Sequence, residues 1–385
     1  MKIFSFILFF ILTFCQSGLN AQDSKFDSVV VTGIEQIYNI KFEKAEKTFR
    51  GLIADYPKHP AGRFFLAMID WWKIRLDSGN EEYDEIFFQK LEDVIYFCEE
   101  ILDDDPNNVD ALFFMGGSIG FRGRLRIIRE SWLKAADDGR EALPIVEEAA
   151  LLDPDNLDVQ LGFGIYNYYA EVIPDEYPIV KPLMIFFPSG DKKLGIKQLK
   201  STAEDGLYAK HEARYFLMNL YYQFEKDWES AQHYAEMLTR SFPNNPVFEG
   251  WRGRIAVKKS DWAMADSVFK NVLNKAEKKL TGYDMPKVRR EATYYIGNNY
   301  KIKAQLDSAL IYFNKCIKLS NSIPSDEESG FLINSTLYIG KVKEMNGEYR
   351  EAEKYYNEVL EMREFGNSHS LAESYLDRLS KRKVK

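Results

Sequence analysis

The residues that could do chemistry in this chain are few, and their spacing argues against catalysis. None of the four histidines, His59, His211, His233 and His369, stands four positions from another with the intervening acid that a zinc hydrolase needs. Gly162-Phe163-Gly164 and Met115-Gly116-Gly117-Ser118 look like phosphate loops but lack the later glycine and lysine of a cradle. No serine is expected at a strand-to-helix nucleophile elbow. Cys98 and Cys316 fall at periodic apolar positions, as buried thiols do, and the many carboxylates read as the solvated faces of helices. No metal and no cofactor is expected. The residues describe a binding protein, with a hydrolase of unrecognised site as the remote alternative.

Two clusters are better suited to holding something. Arg122, Arg126 and Arg129 recur at spacings of four and three, one helical face, and could offer a basic stripe to an anionic ligand or a lipid headgroup. Glu130, Asp137 and Asp138 stand close enough in sequence to neutralise it, which is the preferred reading. The second cluster is the apolar run from Glu171 to Ser189, which contains Pro174, Pro178, Pro182 and Pro188 together with Phe186 and Phe187. It cannot be one regular helix. It is too apolar for a free linker, so it is expected to fold over the surface carrying Tyr166, Tyr168 and Tyr169, either as a plug completing the core or as a lid over a pocket.

The elements that must position these groups emerge from the spacing of small residues. Gly33 to Ala45, Asn219 to Ala231, Gly253 to Ala265, Gly297 to Ala309 and Gly340 to Ala352 share one offset of 12 residues. Four positions beyond each Ala comes Phe49, Ala235, Phe269, Phe313 or Tyr356. Three further copies keep both halves but stretch the gap, Ala67 to Val94, Gly116 to Ala142 and Gly164 to Gly195. In the first of these, around Trp71 and Trp72, a longer first helix is the simplest explanation. Glycine inside a helix costs about 0.5–1 kcal/mol relative to Ala, so its recurrence requires a close helix approach in return.

This pattern resembles the tetratricopeptide repeat. The resemblance implies an all-α solenoid of about eight helix pairs with a C-terminal capping helix, whose stripe would be Leu371, Tyr375 and Leu379. It also implies that the residue after each small position faces a concave groove, giving Leu220, Arg254, Asn298 and Lys341, with Phe216, Tyr294, Lys301 and Leu337 as neighbours. Family members clamp peptide carboxylates with Asn and basic residues at similar places, so Phe216, Arg254, Tyr294, Asn298, Lys301 and Lys341 form the expected partner groove, unless they are engaged by acids such as Glu291 and Glu344. Residues 110–200, through Gly162-Phe163-Gly164-Ile165-Tyr166-Asn167, Pro174, Ser189-Gly190-Asp191 and Gly195, also resemble the central signature of the tetratricopeptide repeat 39 and inclusion-body-clearance family. That likeness concerns architecture and transfers no partner.

Composition sets the remaining bounds. With 51 Lys+Arg against 59 Asp+Glu the chain carries −8, which argues against nucleic acid. Lys2 followed by the apolar run Ile3 to Phe14 reads as a secretory signal over residues 1–21, cleaved after Ala21. A lipid anchor at Cys15 is the weaker variant, because Phe14 stands where a small residue is wanted. No later stretch could span a bilayer. The expected organisation is the signal, stretched repeats over 22–206 and regular repeats with the cap over 207–385. The expected role is a periplasmic or secreted scaffold for a protein or peptide, with a carrier of a small apolar or lipid-like ligand beneath the Pro-rich insertion as the alternative.

Overall fold

The computed structural model describes residues 24–178, 181–184, 187–325 and 327–383, except the side chains of 183, 184, 382 and 383. The signal and Cys15 expectations therefore lie outside the described residues, as does Phe186 of the insertion. Every regular element among the described residues is helical. Contacts divide the chain into two compact units, one ending at Phe242 and the other beginning at Pro243. This boundary falls later than 206/207. The earlier position marks where repeat spacing becomes regular, whereas helix packing continues past it to Phe242.

In the first unit, five antiparallel pairs follow in order: α1 (24–38) with α2 (Phe42–Asp55), α3 (Ala61–Leu76) with α4 (Asp84–Asp104), α5 (Val109–Ile128) with α6 (Trp132–Leu152), α7 (Gln160–Glu176) with α9 (Lys192–Asp205), and α10 (Lys210–Gln223) with α11 (Trp228–Ser241). A one-turn α8 (Lys181–Met184) lies between α7 and α9. The second unit adds α12 (Pro246–Lys258) with α13 (Trp262–Glu277), α14 (Pro286–Ile302) with α15 (Leu306–Asn321), α16 (Gly330–Met345) with α17 (Tyr349–Glu361), and the closing α18 (Ser368–Lys383). These are the helix pairs of a tetratricopeptide-type solenoid.

Helix starts follow local chemistry. Asn108, Asp191, Asp227, Asn245, Asp261 and Ser329 accept from backbone N–H groups of the first turn with their side-chain oxygens. Helix ends are as regular. Ile40, Glu130, Lys226, Ser260, Ala304 and Gly347 hold φ between +53° and +80° in the turns joining six of the pairs. The next N–H reaches back five residues, as Asp261 to the Ala256 carbonyl and Gln305 to Tyr300. This is the Schellman closure of a helix.

The small-to-large spacing has the expected cause. A Cβ built on Gly33, Gly253, Gly297 or Gly340 would come within 2.3–2.9 Å of the ring of Phe49, Phe269, Phe313 or Tyr356, each 16 positions later. In the stretched pairs Gly116 meets Val146 and Gly164 meets Leu199 in the same way. The two helices touch through bare backbone because a larger side chain would hold them apart.

The stretches differ from one another. Around Trp71 and Trp72 the first helix is 16 residues, and the extra length sits in the loop 77–83 and a 21-residue α4, which corrects the expectation of a longer first helix. Between Gly116 and Ala142 the turn keeps its usual form, and α5 and α6 grow to 20 and 21 residues. Between Gly164 and Gly195 the excess forms the Pro-rich connection, and α7 continues through Pro174 to Glu176. At the C-terminus Leu371, Tyr375 and Leu379 of α18 pack onto Ile333, Leu337 and Tyr356 as a cap. Arg378 donates to Glu344 of α16 at 2.8 and 2.6 Å.

Candidate functional site

The first unit closes on itself. Tyr38 at the end of α1 donates to Glu212 of α10 at 2.9 Å, and its ring stacks on Phe242 with centroids 5.1 Å apart. Tyr208, just before α10, is bonded to Asp27 of α1, and Arg75 of α3 donates to Tyr215 of α10 at 2.6 Å. Asp158 accepts from the backbone N–H groups of Tyr208 and Ala209 at 2.9–3.1 Å, fixing the entry to α10. Burial pushes the Asp158 carboxyl above its ordinary range despite those bonds. The first pair thus meets the fifth, and the concave face between them becomes a lumen.

That lumen has a volume of about 290 Å³ and receives side chains from α1, α3, α5, α6, α7 and α10. Its aromatic wall is Phe64, Phe65, Trp71 and Trp72 of α3, facing Phe121 of α5. Five glycines also line it: Gly116, Gly117 and Gly120 on α5, Gly139 on α6 and Gly162 on α7. A Cβ at Gly120 would meet nothing within 4 Å, so this glycine borders open space. It is exposed and makes no helix contact of the kind seen at Gly116.

Arg124 and Glu212 carry the main polar feature. Arg124 donates through one Nη to Glu212 at 2.7 Å and lies 4.6–4.8 Å from the ring centroids of Trp71, Phe121 and Phe216. Glu212 uses its other oxygen for the Tyr38 hydroxyl. Burial first, and then the Glu212 charge, holds the Tyr38 phenol well above its ordinary pKa, so it remains a donor.

Of the three tyrosines expected beneath the insertion, only Tyr166 lines the lumen, and its hydroxyl donates to the Pro188 carbonyl at 2.6 Å. Tyr168 is fully buried and donates to Glu225, while Tyr169 packs on Phe216 and Phe224 in the contact of α7 with α10. Phe187 lies 3.6 Å from the position a Gly139 Cβ would take, so the descending limb of the insertion reaches the lumen's margin. Pro178 and Pro182 are exposed.

The basic stripe is internally neutralised. Arg122 is held by Asp138, Glu92 and Glu141, Arg126 by Asp138, and Arg129 by Asp84 and the carbonyls of Ser78 and Asn80. Of the acids suggested by sequence, Asp138 does this, while Asp137 pairs with Arg140. Gly116-Gly117-Ser118-Ile119-Gly120 spells Gly-x-Ser-x-Gly, the residue order of a nucleophile elbow. Ser118 is fully buried in mid-α5 and donates to the Phe114 carbonyl, so it is no nucleophile.

Phe216 of the expected groove belongs to the first unit, under Arg124. In the second unit Arg254 makes a two-pronged pair with Glu291, Asn298 donates to the Tyr294 carbonyl, and Lys341 donates to Glu344. Lys301 sits 3.3 Å from the Tyr338 ring centroid, near the stack of Tyr294 on Tyr338. Burial and the nearby Lys341 charge lower its pKa to about 8. Among the described residues no cluster of metal-ligating side chains occurs and no helix is long and apolar enough to cross a membrane.

No family model matches the chain, and no curated protein matches it. Solved structures do. The human IFIT1 dimer with m7Gppp-AAAA aligns at 11% identity and TM-score 0.44, over 94% of this chain and 87% of that one. Yeast Tom70 aligns at 11% and 0.38, over 91% and 87%. The APC/C hetero-tetramer Cut9-Hcn1 aligns at 16% and 0.42, over 92% of this chain, which spans 64% of that one. Nothing about this chain's ligand follows from likenesses of that size, and none bears on the resemblance to the tetratricopeptide repeat 39 family.

Proposed function

We propose that this chain is an exported, non-catalytic binding protein that carries a small apolar ligand in the lumen of its first unit. The observation supporting this is the lumen itself, about 290 Å³ bordered by aromatic rings and five glycines. Its size is at the lower end of ligand pockets, and its lining is of the apolar kind with few polar groups that such pockets have. Export is supported by Lys2 and the apolar run Ile3 to Phe14. Binding is tested with N-phenyl-1-naphthylamine, whose fluorescence rises in apolar surroundings. Gly120→Phe places a ring in the open space beside α5, and loss of probe binding by a variant that still melts cooperatively is the expected result. Undiminished binding in that variant would overturn the reading.

One observation favours a second site for a peptide partner. The Lys301 ammonium has no hydrogen-bonding acceptor among the described residues, while Lys341 is near and Tyr294 and Tyr338 supply an aromatic floor. A peptide carboxylate would complete it.

A further inference from the structure

The polar atoms around the lumen restrict what can enter it. Three charged side chains line it: Arg124, Glu212 and Asp158. Asp158 is satisfied by two backbone N–H groups, and Glu212 by Tyr38 and Arg124. The lining phenols are engaged too, Tyr208 by Asp27 and Tyr166 by the Pro188 carbonyl. Arg124 differs. A guanidinium carries five N–H donors, and among the described residues Glu212 is the sole hydrogen-bonding partner of this one. Three aromatic rings crowd it and its side chain is 23% exposed, so water has restricted access to the remaining donors.

The charges also have a sign. Two carboxylates and one guanidinium leave the lining with a net negative charge, and a third carboxylate would enter against it in a poorly solvated space. A neutral acceptor meets no such cost and still completes Arg124.

We propose, building on the lumen reading, that the ligand is a neutral acyl ester, its chain lying beside the lining glycines and its carbonyl oxygen accepting from Arg124. Arg124 is then the residue that selects esters over free fatty acids and over hydrocarbons. Glu212 positions it, and Tyr38 positions Glu212.

The test is displacement of N-phenyl-1-naphthylamine from the intact mature chain by methyl decanoate and by decanoate at pH 8. The ester should displace the probe at a concentration lower by about tenfold or more, because the carboxylate enters a poorly solvated space against the net negative lining. Equal or tighter binding of decanoate would overturn the proposal, since it would place an anion where the lining disfavours one. Arg124→Met combined with Glu212→Gln removes both charges while keeping an acceptor for Tyr38. This variant should lose about tenfold in ester affinity relative to its own affinity for the probe; an unchanged ratio would also overturn the assignment. If the wild-type chain fails to bind the probe at all, the lumen reading itself fails, an outcome distinct from a loss of ester selectivity. The wild-type comparison requires no variant to fold.

Discussion

At the scale of single residues, bare glycines oppose rings within one helix pair, whereas the ion pair of the lumen joins helices far apart in the chain. Gly33, Gly253, Gly297 and Gly340 could be matched to their rings because both partners lie in one helix pair at fixed separation. Arg124 and Glu212 are 88 positions apart, and no periodicity connects them. The basic pattern drew attention to Arg122, Arg126 and Arg129, the face that acids neutralise, while Arg124 on another face reaches the lumen. His211 is a residue of the same hidden kind. Its ring packs against Tyr38 and Phe242, its Nδ1 has no partner among the described residues, and burial, aided by the charges of Arg214 and Lys210, lowers its pKa to about 4. The imidazole is therefore neutral when folded, and the unfolded chain binds the proton more readily. Its contribution is fully present above pH 6.5 and falls as the pH drops toward 4, by at most about 3 kcal/mol. Urea unfolding at a series of pH values should show His211→Phe losing less stability than the wild type between pH 6.5 and 4. Parallel curves would refute the assignment.

At the scale of elements, helix pairing was legible wherever the 12-residue offset held, and the fold of each stretch was not. An insertion can lengthen two helices, as in α5 and α6, or build a loop, as at 77–83, and periodicity does not choose between them when the inserted residues are themselves amphipathic. In the most irregular pair the helices meet backbone to backbone. A Cβ on Gly195 would stand 2.6 Å from the Tyr168 nitrogen and 2.8 Å from the Gly164 carbonyl oxygen, so backbone opposes backbone and no side chain can rotate away. Gly195→Ala gains about 0.5–1 kcal/mol of helix propensity but must separate α7 from α9, and overpacking of that kind costs about 1–3 kcal/mol. The clash should win, with a net loss of about 2 kcal/mol in denaturant unfolding. Gly51, exposed in α2 with nothing within 4 Å of its Cβ, is the control. Gly51→Ala should gain about 0.5–1 kcal/mol, because there propensity acts alone. If both variants lost stability equally, close approach would not be the reason for Gly195.

At the scale of the whole molecule, the second unit can be read as an ordinary run of pairs ending in a cap, whereas the first cannot. In an open solenoid each repeat feels only its neighbours, and a change in the first pair is not transmitted to the fifth. Here Tyr38 and Asp27 on α1 bond to Glu212 and Tyr208, so the ends of the first unit are coupled across more than 170 residues. No local signal in the sequence announces this, because closure depends on the stacking of five pairs, three of them stretched. The coupling can be measured by hydrogen exchange on the variant Tyr38→Phe with Tyr208→Phe, which removes two hydroxyls and retains both rings. Each lost bond leaves a carboxylate short of one donor, worth about 1–3 kcal/mol. Exchange should quicken in α1 and α10 together, at opposite ends of the unit's sequence, while α14 to α17 in the second unit keep their protection. Faster exchange confined to α1 would mean that the closing bonds carry no energy between the ends, and the lumen would then owe its form to the stacking of successive pairs alone.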